Sequence, residues 1–112
     1  MTIFEKIAAR EIPARIVHET DEFLAFHDVN PQAPVHVLIV PKRVIPRIAD
    51  ANGDDAALLG RMLVASREVA QKVGVADSGY RLVINNGPDA GESVPHLHMH
   101  LLGGRYMTWP PG

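Results

Sequence analysis

Near the C-terminal end the chain reads Val94-Pro95-His96-Leu97-His98-Met99-His100-Leu101-Leu102. Polar and apolar residues alternate through its centre. Side chains of a β-strand point to opposite faces in turn. A strand over 94–102 therefore sets His96, His98 and His100 on one face and Leu97, Met99 and Leu101 on the other. The chain must cover the leucine face with apolar residues and find a use for the imidazole face. A second segment, Val35 to Val40, is apolar at every position except His36. It reads as a central strand covered on both faces, closed by Pro41. His36 is then a candidate fourth imidazole beside the triad.

The rest of the chain supplies the layers. Thr2-Ile3-Phe4-Glu5 has the form of a capping box, with Ile3, Phe4, Ile7 and Ala8 following on one helical face. Ile12-Pro13 is expected to end that helix. Strands are predicted over residues 15–18, 23–27 and 80–85. Residues 28–34 and 86–92 are loops rich in Pro, Gly, Asn and Asp. Asn52-Gly53-Asp54-Asp55 introduces a long helix with Leu58, Leu59, Met62, Leu63, Val69, Ala70 and Val73 as its apolar stripe, and Gly74 at its C-terminus. Short helix, strands, long helix, strands is an α+β order. Strands joined by short loops pair antiparallel, giving a sheet of about five strands with two helices.

The chain has 112 residues, no cysteine and a formal net charge of −2. That length fits a single domain spanning 1–112. The charge leaves no broad basic footprint for nucleic acid or an anionic membrane, so an anionic ligand needs a local site of N–H groups or imidazoles. Without cysteine there is no disulfide framework, thiolate metal site or thiol nucleophile. No window approaches the roughly 20 apolar residues of a membrane span, and the start Met1-Thr2-Ile3-Phe4-Glu5-Lys6 has no signal-peptide core. The expectation is a soluble, cytoplasmic protein.

Three chemistries suit the imidazole face. It can be a solvated stripe, which alternation alone permits. It can hold a metal, since histidines two apart on a strand can share an ion, although no carboxylate is suitably spaced beside the triad. Or it can perform nucleophilic catalysis at phosphorus. A neutral imidazole attacks through one nitrogen when an acceptor holds its other N–H, while flanking imidazoles, if protonated, offset phosphate charge. The backbone N–H groups of Gly91, Glu92, Ser93 and Val94, and the Ser93 hydroxyl, suit an anion beside the triad.

His-Leu-His-Met-His-Leu-Leu resembles the His-φ-His-φ-His-φ-φ motif of the histidine triad superfamily. Thr2-Ile3-Phe4 with Lys6-Ile7, Ala25-Phe26-His27-Asp28, Pro31-Gln32-Ala33-Pro34 with His36, and Gly103-Gly104-Arg105 with Trp109-Pro110-Pro111-Gly112 extend the likeness to its Hint branch, the purine nucleoside phosphoramidases. The resemblance implies the α+β histidine-triad fold, with the sheet extended across a homodimer. It implies hydrolysis of the phosphorus–nitrogen bond of adenosine or guanosine 5′-phosphoramidates, and of aminoacyl-adenylates, without metal or other cofactor. His98 would be the nucleophile, oriented by the His96 carbonyl, with His100, His36 and Ser93 handling phosphate and protons. Ile3, Phe4, Ile7, Phe26 and Leu38 would enclose the purine and Asp28 would accept the ribose hydroxyls. Asn85, Gly91, Glu92, Ser93 and Val94 would stand at the phosphate, with Trp109 reaching the partner's site.

Without the resemblance, the apolar members of this set are ordinary core candidates and Asp28 and Asn85 ordinary turn residues. Two rivals share the pocket: a dinucleoside polyphosphate hydrolase, and a nucleotide-binding or scaffold protein with little turnover. Glu92 stands where many relatives have Gln, placing a carboxylate where it would repel substrate unless it points away. Pro95, often an aromatic in animal relatives, lacks an N–H.

Overall fold

The computed structural model describes residues 1–112. Its strands are β1 (Ile16–Glu19), β2 (Phe23–His27), β3 (Val35–Pro41), β4 (Tyr80–Ile84) and β5 (Met99–Gly103), and its helices α1 (Ile3–Ala8) and α2 (Ala56–Lys72). The five strands form one antiparallel sheet in the order β1-β2-β3-β5-β4. No helix is long and apolar enough to cross a membrane.

β3 sits at the centre, and both of its faces are covered. Val37 and Ile39 join Phe23, Ala25, Leu97, Met99 and Leu101 against Leu58, Met62, Val69 and Ala70 of α2. Leu38 and Val40 join Leu24 and Phe26 against Phe4 and Ile7 of α1. Register locks the two sets apart: Phe26 pairs with Leu38, and Leu38 with His100, so the triad's face is the α1 face. Full burial of one such aliphatic side chain is worth about 1.5–3 kcal/mol, and β3 contributes several.

Three sequence expectations shift. The capping box forms as read, with the Thr2 side chain accepting from Glu5 and the Glu5 side chain from Thr2. Yet α1 ends at Ala8, before Ile12-Pro13. Arg10 adopts φ 63°, and the Arg10 and Glu11 N–H groups donate to the Ile7 and Lys6 carbonyls. This is a Schellman stop, usually made by glycine. Leu63, assigned to the α2 stripe, is 54% exposed, and Ser66 is buried in the helix instead. Gly74 ends α2 with φ 78° as expected. The last strand begins at Met99 rather than Val94, although the alternation continues upstream of it.

Candidate active site

α1, the end of β2, the chain following α1 and residues 93–100 enclose one cavity of about 370 Å³. Of the residues singled out from sequence, Ile3, Phe4, Ile7, Phe26, Asp28, Leu38, Ser93, Val94, His98 and His100 line it. Ile12, Pro13, Ala14, His27 and Val29 also line it and carried no such signal. His36, His96, Asn85, Gly91, Glu92 and Trp109 do not.

Hydrogen bonds assign each imidazole a tautomer. His96 is wholly buried. Its Nε2 lies 2.7 Å from the Pro41 carbonyl, so Nε2–H donates there. Its Nδ1, 2.7 Å from Thr2 Oγ1, accepts from that hydroxyl. His98 Nδ1–H donates to the His96 carbonyl at 2.8 Å, which leaves the lone pair on Nε2. His36 Nδ1 accepts from the Gln32 N–H at 3.0 Å. Its Nε2–H then donates to His100 Nδ1 at 2.8 Å, leaving His100 with its proton on Nε2. The Phe4 ring stands edgewise to both His96 and His98, with centroids 5.4 and 5.1 Å away.

Burial disfavours an imidazolium, and the rings follow that rule. His96 titrates below the usual histidine range because it is desolvated. His36 does too, against the opposing pull of Asp28. His100 is pushed down to about 4, first by burial and then by the charges of His98 and His36. The protonated flanking imidazoles expected from sequence are therefore neutral near pH 7 in the protein itself. Of the three, only His100 keeps an N–H, on Nε2, at the cavity; those of His36 and His96 are spent on His100 Nδ1 and the Pro41 carbonyl.

Asp28 combines its two sequence readings. Oδ1 accepts from the Asn30 N–H at 2.8 Å, making an Asx turn. Oδ2 lies 3.5 Å from His36 Nε2, and the carboxylate borders the cavity. Donor atoms of Asp28, His36 and His100 fall within 4.8 Å of one another. However, the two ring nitrogens are 2.8 Å apart and share a proton. Two nitrogens on one tetrahedral zinc would stand about 3.3 Å apart. The cluster as built is a hydrogen-bond relay.

Glu92 points away from the cavity, as its charge requires. Arg47 Nε donates to both of its carboxylate oxygens, at 3.0 and 3.3 Å, and Arg47 Nη1 bonds Asp50 at 2.7 Å. The Ala49 N–H also donates to Asn86 Oδ1 at 2.9 Å. The segment before α2 thus braces the loop before the triad. Gly91 turns that loop with φ 77°, a conformation that favours glycine. Asn85 follows the end of β4. Trp109 lies beside Arg81 of β4, its ring 6.0 Å from the guanidinium, and is 81% exposed. The chain's own tail therefore does not close its own cavity.

A two-sided sheet whose triad carries one committed Nδ1–H beside an apolar cavity defines a class of protein. The HIT domain family model matches residues 9–107, and the chain belongs to that family. It is 58% identical to an uncharacterized HIT-like protein of Synechocystis over 99% of this chain and 96% of that one. The crystal structure of a HIT family hydrolase from Legionella pneumophila superposes with a TM-score of 0.96 at 51% identity, covering 100% of both chains. That of a histidine triad nucleotide-binding protein from Candida albicans gives 0.80 at 31%, covering 90% of this chain and 73% of that one.

Proposed function

We propose that the protein is a purine nucleoside phosphoramidase of the Hint branch, working in the cytoplasm. One observation carries the reading: His98 Nδ1–H is held by the His96 carbonyl, so Nε2 presents its lone pair on a ring that lines the cavity. Ile3, Phe4, Ile7, Phe26 and Leu38 offer an apolar slot of purine character, and Asp28 borders it for the ribose.

His98 Nε2 attacks the α-phosphorus, and the phosphorus–nitrogen bond breaks. The positive charge on the nucleotidyl-imidazole is met by the His96 carbonyl. The departing amine takes a proton from Ser93 or from His100 Nε2–H. The water consumed in the second step returns that proton to the donor, while His36 Nε2–H, held at His100 Nδ1 and near Asp28, keeps the His100 proton on Nε2. Water then attacks phosphorus, returning His98 and releasing the nucleoside monophosphate. The N–H groups of Ser93 and Val94 and the His100 Nε2–H offset charge on the phosphoryl oxygens; those of Gly91 and Glu92, expected from sequence to join them, are taken by the Pro88 and Gly87 carbonyls.

Hydrolysis of a fluorogenic adenosine phosphoramidate by wild type and His98→Ala tests this. The variant should lose several orders of magnitude in turnover while retaining nucleotide binding. His98→Gly should recover with free imidazole. Equal rates in wild type and His98→Ala would refute the assignment, and loss of activity on chelation with recovery on added zinc would replace it with a metal site.

The same reading includes a homodimer joined along β4, with each Trp109 tail serving its partner's site. Its support is the open edge of β4 and the exposed Ile84, Leu63, Val64 and Trp109. An apolar recess of about 260 Å³ between α2 and that edge adds to it.

A further inference from the structure

The peptide of His96 holds the reacting ring, yet it lies outside the sheet. β5 begins only at Met99, so no ladder hydrogen bonds fix the carbonyl that accepts from His98. Nearby main-chain bonds are few: His96 N–H to the Val94 carbonyl at 2.8 Å, and Leu97 N–H to the Ile45 carbonyl at 2.7 Å. The Leu97 N–H shares a peptide plane with the His96 carbonyl and gives it one anchor; the His96 side chain, pinned at both ring nitrogens, gives two more. Pro41 in the central strand takes one nitrogen. Thr2, 94 residues away, takes the other.

Thr2 is a three-way node. Its hydroxyl oxygen accepts from the Glu5 N–H at 3.1 Å, its own N–H donates to Glu5 Oε1 at 2.9 Å, and its hydroxyl proton goes to His96 Nδ1. Pro41 offers only an acceptor, so His96 Nε2 must carry the ring proton and Nδ1 must receive one. A hydroxyl can accept and donate at once. The helix that this hydroxyl caps also supplies Ile3, Phe4 and Ile7 to the cavity wall, and Phe4 touches both His96 and His98.

We infer that Thr2 is a positioning residue for His98. Its hydroxyl satisfies the tautomer that the Pro41 carbonyl imposes on His96 and seats that ring, and so ties the docking of α1, the apolar wall of the site, to the carbonyl that orients the nucleophile. The kinetic part of this inference rests on His98 being the nucleophile; the tautomeric part does not.

Three variants separate positioning from helix capping. Thr2→Ser keeps both functions. Thr2→Asp keeps the cap, because Asp is among the best N-cap residues, but it can only accept, which forces a proton onto His96 Nδ1. Thr2→Val removes both. Nitrogen-15 NMR of the histidine rings, thermal melting and steady-state turnover are measured on each. In wild type and Thr2→Ser, His96 should be neutral with its proton on Nε2 and His98 with its proton on Nδ1. In Thr2→Asp the melting temperature should hold, while the His96 Nδ1 resonance moves to a protonated position. His98 should then lose its single tautomer. Its kcat should fall roughly three- to tenfold, the worth of about one hydrogen bond, with KM little changed.

Unchanged His96 and His98 signals in Thr2→Asp would overturn the inference. A moved His96 signal with an unmoved His98 signal and unchanged kcat would overturn the positioning role. A wild type without turnover would overturn the phosphoramidase reading, and the two ring signals would still decide the link from Thr2 to His98.

Discussion

Acid should destabilise this protein through His100, by an amount its surroundings set. Above neutrality the ring is uncharged in both the folded and the unfolded chain. In the unfolded chain it titrates near 6.5, and in the folded site at about 4. Between those values the unfolded chain holds a proton that the folded site refuses. Stability therefore falls as pH drops through 6.5 and levels off near 4, by roughly 1.4 kcal/mol for each pH unit. The whole span comes to about 3 kcal/mol, a large share of a typical domain's total of roughly 5–15 kcal/mol. His36 and His96 are held low by the same burial and steepen the fall. Urea unfolding of wild type and His100→Asn, from about pH 7.5 down to about pH 4.5, isolates the contribution. The variant loses the bond from His36 and starts from a different stability, so the slope is the quantity to compare. Wild type should lose about 2–3 kcal/mol more than the variant across that range. Parallel curves would refute the reasoning, because a ring whose removal leaves the slope unchanged was never held out of its protonated form.

Asp28→Asn should preserve the Asx turn, since an amide oxygen can still accept from Asn30. It should also weaken ribonucleotides far more than 2′-deoxyribonucleotides, each charge-assisted bond being worth roughly 1.5–3 kcal/mol; equal weakening of both in a binding titration would leave Asp28 a turn residue alone. Deleting Tyr106 to Gly112 should leave the fold intact, because no member of either apolar cluster is removed. It should alter selectivity between large and small amine leaving groups while sedimentation still reports a dimer. Unchanged selectivity would reduce the tail to packing, and a monomeric wild type would remove the partner's site from the account.

Much of the fold was legible because it rests on periodicity. The alternation at Leu97, Met99 and Leu101 assigned the two faces of residues 96–101, even though hydrogen-bonded pairing starts only at Met99. The unbroken run at β3 announced a strand buried on both sides. Where the reading failed, a local pattern met a tertiary decision. Nothing in Arg10 announces a left-handed residue, so α1 seemed to run on to Pro13. Leu59 and Leu63 share a helical face with core residues, but only Leu59 packs against the core, and Leu63 is left outside. The site divides in the same way. His98, Ser93 and Asp28 were found through motif resemblance. Ile12 and Ala14 entered the cavity wall only because the chain doubles back after α1. The partners of Glu92 and His96 lie 45 and 94 residues away in sequence, and no short-range signal joins them.

The alternation of residues 96–101 also guards the fidelity of folding. A β-strand that slips by one residue turns every side chain to the opposite face. Here it would drive His100, and with it the imidazoles that continue the alternation upstream, into the apolar cluster of 13 residues beneath α2. Each polar group left unpaired there would cost roughly 1–3 kcal/mol. At the same stroke His96 would leave Pro41 and Thr2. A misregistered chain would thus be unstable and without its triad together, and an inactive but well-folded population in that register has no basin to occupy. The residues that carry the chemistry also mark where the strand must sit.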